Sequence, residues 1–276
     1  MRVGIIGLGL MGGSLSMAMK KVYTDIEVIG FDHNDQHCIE ALERNLVDKV
    51  IDDIDDFIGV DILFLAVPVD GIIALLGQFS HIEEHTTIVD LGSTKALIVD
   101  SVPANIRQNF VAAHPMTGTE KSGPTAAIDN LYHGKAIVLC NIEDSGESQH
   151  QLAKQIFTDI GMKIFYMDAR EHDRHAAYIS HMPHAISYAL ANAVMKQENP
   201  KAITALAGGG FKDMSRTAKS SPNMWEDIFR QNRKDLLAGI DCFAGELSRC
   251  RELVETEQWD ELHRWMEQAN RLHEIL

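Results

Sequence analysis

The stretch that most constrains this chain is its start. An apolar run at 3–6 leads into Gly7-Leu8-Gly9-Leu10-Met11-Gly12, and Asp32 stands twenty residues after Gly12. Residues 3–6 read as a buried strand, 10–22 as the helix that follows, and 26–31 as a second strand ending at Asp32. That is the order of a dinucleotide-binding βαβ unit. Gly7 permits a tight turn, Gly9 leaves room for a pyrophosphate against the backbone, and Gly12 lets helix and strand pack closely. The helix start, with Leu10 and Met11 in its first turn, offers free N–H groups and a partial positive charge to phosphate. Asp32 can accept hydrogen bonds from both ribose hydroxyls and would repel a 2′-phosphate, so the expected cofactor is NAD rather than NADP.

Bulk properties narrow the class further. At 276 residues and 45% apolar, the chain has material for one large domain or two modest ones. A formal charge of −15 argues against nucleic acid or an anionic membrane as partner. No long uncharged apolar run suggests a membrane span, and the N-terminus enters a strand with no charged leader before it. Cys38, Cys140, Cys242 and Cys250 form no CxxC pair, which suits a reducing cytoplasm.

The chain divides by periodicity. Up to Asp168, short apolar strands alternate with helical stretches; the candidates are 3–6, 26–31, 61–67, 87–91, 110–113, 136–140 and 163–167. Continuous apolar strands between helices predict an α/β fold, a Rossmann-like doubly wound sheet over residues 1–168. Residues 169–276 read as an all-α domain. A long helical stretch is expected over 169–197, with Pro183 bending it or sitting at a break. Pro200 opens another, Gly208-Gly209-Gly210 breaks the pattern, a stretch from Pro222 runs through Glu255, and an amphipathic helix closes the chain. The apolar content of this half makes a homodimer through it plausible, against the alternative of an intrachain core.

Ligands on open α/β sheets bind beyond the carboxyl ends of the strands. The unusual polar loops fall at those ends: Gly7, Asp32, Ala66-Val67-Pro68, Gly92-Ser93-Thr94-Lys95, and the segment from His114 through Gly123. If their strands are parallel neighbours, all five loops open on one rim and make a single site. His114, held by Pro115 at a strand end, is placed to handle a proton near neutral pH. In the helical half, His184 is the histidine expected near a ligand; His172, His175 and His181 read by default as core or surface residues. Without cysteines or a carboxylate pair beside them, these histidines are not expected to bind metal. Arg216, after the triple glycine, offers a planar fork for a carboxylate or else a structural ion pair with Asp213. Lys95, His114, Lys121, His184, Lys212 and Arg216 on an acidic body suggest a positive pocket for a small anionic substrate.

GLGLMGGS, DLGSTK, HPMTGTEKSG, HMPH, and GGGFKDMSR followed by SPNMWEDIF resemble, in order over nearly the whole chain, the prephenate/arogenate dehydrogenases of tyrosine biosynthesis. The chain has no stretch resembling the chorismate mutase or regulatory ACT domains of some members. The resemblance implies NAD-dependent oxidative decarboxylation: prephenate to 4-hydroxyphenylpyruvate, or alternatively arogenate to tyrosine. It implies that His114 assists loss of the ring hydroxyl's proton and that Ser93 orients this histidine and approaches the nicotinamide. It further implies that His184 binds substrate, that Arg216 binds the ring carboxylate, and that Thr119 and Glu120 lie at the entrance. Gly7, Gly9, Leu10, Met11, Gly12, Asp32, Val67 and Ser93 are the expected cofactor contacts. A dimer through the helical halves is implied as well. Two competing readings are a β-hydroxyacid-type dehydrogenase, whose catalytic lysine comes from the helical half, and a nucleotide sensor without turnover.

Overall fold

The computed structural model describes residues 1–79 and 82–275. Its first half is built on one eight-stranded sheet. The strands are β1 (Arg2–Ile6), β2 (Glu27–Phe31), β3 (Lys49–Val50), β4 (Ile62–Leu65), β5 (Thr87–Asp90), β6 (Phe110–Pro115), β7 (Ala136–Cys140) and β8 (Lys163–Met167). They lie in the order β3-β2-β1-β4-β5-β6-β7-β8. The helices α1 (Leu10–Val22), α2 (Asp35–Glu43), α3 (Val69–Leu76), α4 (Ala96–Asp100) and α5 (Glu147–Asp159) cover it. β1 pairs in parallel with both β2 and β4, so the chain reverses its direction of winding at β1. That reversal opens the crevice in which such sheets bind ligands.

Strand period explains the layering. Val3 and Ile5 of β1, with Phe64 of β4, pack on one face against Leu15 and Met19 of α1 and Phe157 of α5. Ile6, Leu63 and Leu65 point to the other face, against Ile72 and Leu76 of α3 and Ile98 of α4. Alternate residues are thus buried on opposite sides, and both faces are apolar.

Two features of the sheet depart from the simplest reading. β7 runs antiparallel to β6. Residues 116–135 hold only a short 3-10 turn, so no crossover helix carries the chain back to the starting edge and the strand returns in the opposite sense. β3 pairs through two residues only, too short for any periodic signal.

The second half contains α6 (Ala169–Ala176), α7 (Met182–Met195), α8 (Pro200–Ala205), α9 (Gly209–Ser215), α10 (Pro222–Gln231), α11 (Arg233–Glu255) and α12 (Trp259–Asn270). The long helix expected over 169–197 is instead α6 and α7 joined by a π turn over Ala177–His181. Pro183, at the start of α7, has no N–H to donate, and the wider turn absorbs that loss. The stretch expected to run from Pro222 to Glu255 breaks at Asn232. This residue is buried, and its amide donates to the Asp173 carbonyl at 2.7 Å and contacts His181 Nδ1 at 3.1 Å. Those side-chain bonds hold Asn232 out of helical geometry.

Candidate active site

The five loops do share one rim, because β1, β2, β4, β5 and β6 are mutually parallel. Gly7 has φ +96°, and a Cβ there would lie 2.5 Å from the Ala66 carbonyl oxygen. A Cβ on Gly12 would lie 2.0 Å from the Gly7 carbonyl oxygen. Packing alone demands glycine at both positions. Gly9 is different: the nearest atom to a Cβ there is the Gly123 nitrogen, at 3.7 Å. The glycine turn therefore faces a gap, roofed by the loop that follows β6. Gly9 is also the N-cap of α1, and no side chain caps that helix. Unclaimed donors facing a gap fit a pyrophosphate.

Asp32 sits beside this turn, nearly buried. Its carboxylate accepts from Leu8 N at 2.9 Å and from Asn34 N at 3.0 Å. His33 Nδ1 at 3.4 Å and His37 Nδ1 at 3.3 Å also approach its two oxygens, and a ribose hydroxyl would share these acceptors with them. The adjoining cavity is lined by Phe31, Asp32, His33, Asp35, Val50 and Asp52 among others, and its three carboxylates outnumber its one histidine, which disfavours further negative charge. These residues fit NAD. Val67, half-buried, closes over Gly7, where its methyl would meet a Cβ at 2.8 Å.

His114, near the end of β6, meets the helical half directly. Its Nδ1 lies 2.8 Å from His172 Nε2, with the rings edge-on at 69°. His172 Nδ1 lies 2.9 Å from Asp173 Oδ1. Asp173 in turn accepts from Lys95 N at 2.7 Å and Ala96 N at 2.9 Å, the start of α4. Asp168 caps α6 and fixes the turn that carries His172 and Asp173. Burial, then the proximity of His172, Lys95 and His181, holds the His114 pKa well below the ordinary histidine value. A neutral imidazole is the form that can accept a proton.

The group contacting His114 Nδ1 is thus His172 and not Ser93, which sits on the rim without a side-chain hydrogen bond to His114. His172 was the residue that sequence reasoning passed over as a default core histidine. The available signal was an adjacent His–Asp pair at the first turn after the sheet ends. Lys95 also needs correction as a wall of the anionic pocket. Its side chain is fully buried, ion-paired with Asp90, and donates to the Ala113 carbonyl at 2.7 Å. A lysine so enclosed cannot reach a ligand; it anchors the strand that presents His114.

His184 stacks on Trp225, with ring centroids 3.5 Å apart and planes 20° from parallel. Its Nδ1 lies 2.8 Å from the carbonyl of Ser180 in the π turn, so Nδ1–H donates and Nε2 is left for a ligand. Burial, with Arg216 nearby, lowers the His184 pKa despite that bond. Arg216 is exposed and makes no ion pair with Asp213 among the described residues, which leaves its guanidinium available. It lies close enough to Glu120 to help hold that carboxyl below its usual range, after Glu120's own backbone N–H, Lys219 and Lys121. Glu120 pairs with Lys219 at 3.7 Å, joining the loop after β6 to the segment after α9. Thr119 accepts from Lys121 N at 3.2 Å within the same exposed loop. The four histidines of the helical segment diverge: His172 to His114, His181 to Asn232, His184 to Ser180, and His175 to Glu171 at 4.0 Å on the surface. No cluster of three metal-ligating groups occurs among the described residues.

The fold and domain order recur in known proteins. The model of the prephenate dehydrogenase nucleotide-binding domain matches residues 15–166, and that of the prephenate dehydrogenase dimerization domain matches residues 168–268. Prephenate dehydrogenase of Bacillus subtilis is 33% identical over 274 residues, covering 96% of this chain and 73% of its own. The crystal structure of prephenate dehydrogenase from Aquifex aeolicus, in complex with hydroxyphenyl propionate and NAD+, superimposes with a TM-score of 0.92 at 31% identity. It covers 100% of this chain and 98% of its own. Synechocystis arogenate dehydrogenase gives a TM-score of 0.84 at 28% identity over 99% of both chains. With both domain models matched along its length, the chain belongs to the prephenate dehydrogenase family.

Proposed function

We propose that this protein is an NAD-dependent enzyme that oxidises and decarboxylates prephenate to 4-hydroxyphenylpyruvate. The observation that supports the reading is the direct contact of His114, at the sheet rim, with His172 of the helical half at 2.8 Å, in the same segment as His181, whose ring centroid lies 6.1 Å from that of Trp225, on which His184 stacks. NAD supplies the hydride acceptor. The residues of this chain do the rest. Gly9, Leu10, Met11 and Asp32 hold the nucleotide, and Val67 and Ser93 border the nicotinamide end. Arg216 binds the ring carboxylate, His184 also binds the substrate, and Thr119 and Glu120 line the entrance. His114 accepts the ring hydroxyl's proton as the carbinol carbon loses hydride. The ketone that forms is conjugated to the carboxylate-bearing carbon, carbon dioxide leaves, and the ring becomes aromatic.

Arogenate is the second reading, favoured by the likeness to the Synechocystis enzyme. Steady-state rates with prephenate and arogenate, each with NAD and NADP, test both. Prephenate with NAD is expected to give the highest kcat/KM. Turnover confined to arogenate would move the assignment, and no turnover with either would end it. The carboxylates around Asp32 predict NADP at least about 100-fold poorer than NAD, since like-charge contacts cost several kcal/mol.

The working form is a homodimer through the helical half. Phe243 and Leu247 of α11, Val254 at its end, and Trp259 of α12 are solvent-exposed in the single chain, and these are the apolar side chains a partner would cover. Sedimentation at micromolar concentration tests this. No helix among the described residues is long and apolar enough to cross a membrane, and the cytoplasm is the compartment proposed.

A further inference from the structure

We propose that His172 and Asp173 are positioning residues that lock His114 in its Nδ1–H tautomer and store the reaction's proton within the protein. The inference rests on the reading of His114 as the base.

The tautomer follows from donor counting. Asp173 is an acceptor only, and it already takes two backbone N–H bonds from the start of α4. At 2.9 Å, His172 Nδ1 must therefore carry the hydrogen it shares with Asp173. With one hydrogen on its ring, His172 has a lone pair at Nε2, which faces His114 Nδ1 at 2.8 Å. His114 must donate there, and its own lone pair stands at Nε2, the only ring nitrogen left for substrate. With both imidazoles neutral, reversing any one bond places two hydrogens or two lone pairs face to face; a charged His172 would donate to His114 instead and leave the hydrogen on His114 Nε2.

The proton balance gives this chain a purpose. The hydroxyl proton moves to His114 Nε2 as hydride leaves the carbinol carbon. Loss of carbon dioxide then returns an electron pair to the ring and generates a phenolate, which needs one proton to become the product phenol. No net proton is released. A base that lost its proton to water would have to recover one. Here the Nδ1 hydrogen of His114 can shift toward His172 Nε2, while Asp173 balances the positive charge from behind. His172 is 2% exposed and Asp173 5%, so this side of the chain has no route to solvent. The proton stays available for return through Nε2.

The test combines nitrogen NMR of histidine-labelled full-length protein with kinetics of His172→Gln and His172→Leu. Long-range 15N–1H spectra, with His114 assigned by its loss in His114→Asn, are expected to show hydrogen on Nδ1 at neutral pH. Hydrogen on Nε2 overturns the proposal. Gln keeps an acceptor for His114 Nδ1–H, whereas Leu removes it. His172→Leu is expected to lower kcat by about 100-fold or more, the scale of losing a correctly poised base. KM and the Kd for NAD should stay within about threefold, and His172→Gln should recover about tenfold of the loss. Equal damage to kcat, KM and NAD binding in both variants would mean a structural role and overturns the proposal. If His114→Asn abolishes turnover while both His172 variants keep wild-type kcat, the base reading stands and the relay fails. If His114→Asn itself keeps wild-type turnover, the base reading fails.

Discussion

Lys95 and Asp90 form an ion pair in which both side chains are fully buried, and the same ammonium holds the carbonyl of Ala113, the residue before His114. Asp90 also accepts from Gly92 N and Ala113 N. One carboxylate and one ammonium thus clamp the ends of β5 and β6 together beneath the site. Burial pushes the Asp90 pKa up and Lys95 pulls it back down, so the carboxylate depends on its partner to stay charged. Removing one member of a buried pair leaves an uncompensated charge or a forced protonation. Lys95→Met is expected to cost about 3–5 kcal/mol. Thermal melts should fall on the order of 10 °C, and an unchanged melting temperature would contradict the clamp.

His114 acts as a base only when neutral. Burial comes first among the causes that lower its pKa, followed by His172, Lys95 and His181. A depressed pKa means the neutral form persists below the pH at which a free histidine protonates. The acid limb of kcat should therefore lie well below pH 6.5, the ordinary histidine value, with a flat profile through neutrality. His114→Asn should lower kcat by about two to four orders of magnitude and abolish that limb. A kcat that halves near the ordinary histidine pKa would show that another group sets the limb.

Much of this was legible in the residues. The glycine fingerprint and Asp32 announced the nucleotide side because the glycines answer strict steric demands, at Gly12 from the Gly7 carbonyl and at Gly7 from a positive φ and the Ala66 carbonyl beside it. Strand ends were readable because continuous apolar runs of four to six residues have few other uses. The antiparallel β7 was not, since direction depends on how residues 116–135 travel and no periodicity records that. The π turn left a trace in Pro183, but a proline signals a disturbance and not its form. The roles of Lys95 and His172 were hidden for one reason. A charged or titratable side chain looks the same in sequence whether it faces a ligand or a buried partner, as Lys95 faces Asp90 and His172 faces His114, 58 residues away.

Arg216 is an exposed cation close to His184, and its freedom from Asp213 leaves it for the substrate. A bidentate contact to a carboxylate is present in both ground and transition states, so its loss should appear in KM. Arg216→Ala is expected to raise KM for prephenate by about 10- to 100-fold, with kcat changed less, because a hydrogen bond to a charged group is worth about 1.5–3 kcal/mol. Arg216→Lys should recover only part of the affinity, as a point charge lacks the planar fork. A KM unchanged in Arg216→Ala would remove it from the binding site.

His181 sets an acid limit on stability. It is 1% exposed, and Asn232 donates to its Nδ1 at 3.1 Å, so protonation there would set two hydrogens against each other. Burial lowers its pKa to about 4, and Asp173 only partly opposes this. In the unfolded chain the same imidazole titrates near 6.5. Between those values the unfolded state binds a proton that the folded state refuses, so stability must fall as pH drops from about 6.5 toward 4. His114 and His184, also depressed by burial, add to the same slope. Denaturant unfolding at stepped pH should show this decline, and His181→Gln, which keeps an acceptor for Asn232 but cannot titrate, should flatten it. A slope identical in the variant and the parent would mean that His181 does not carry the linkage.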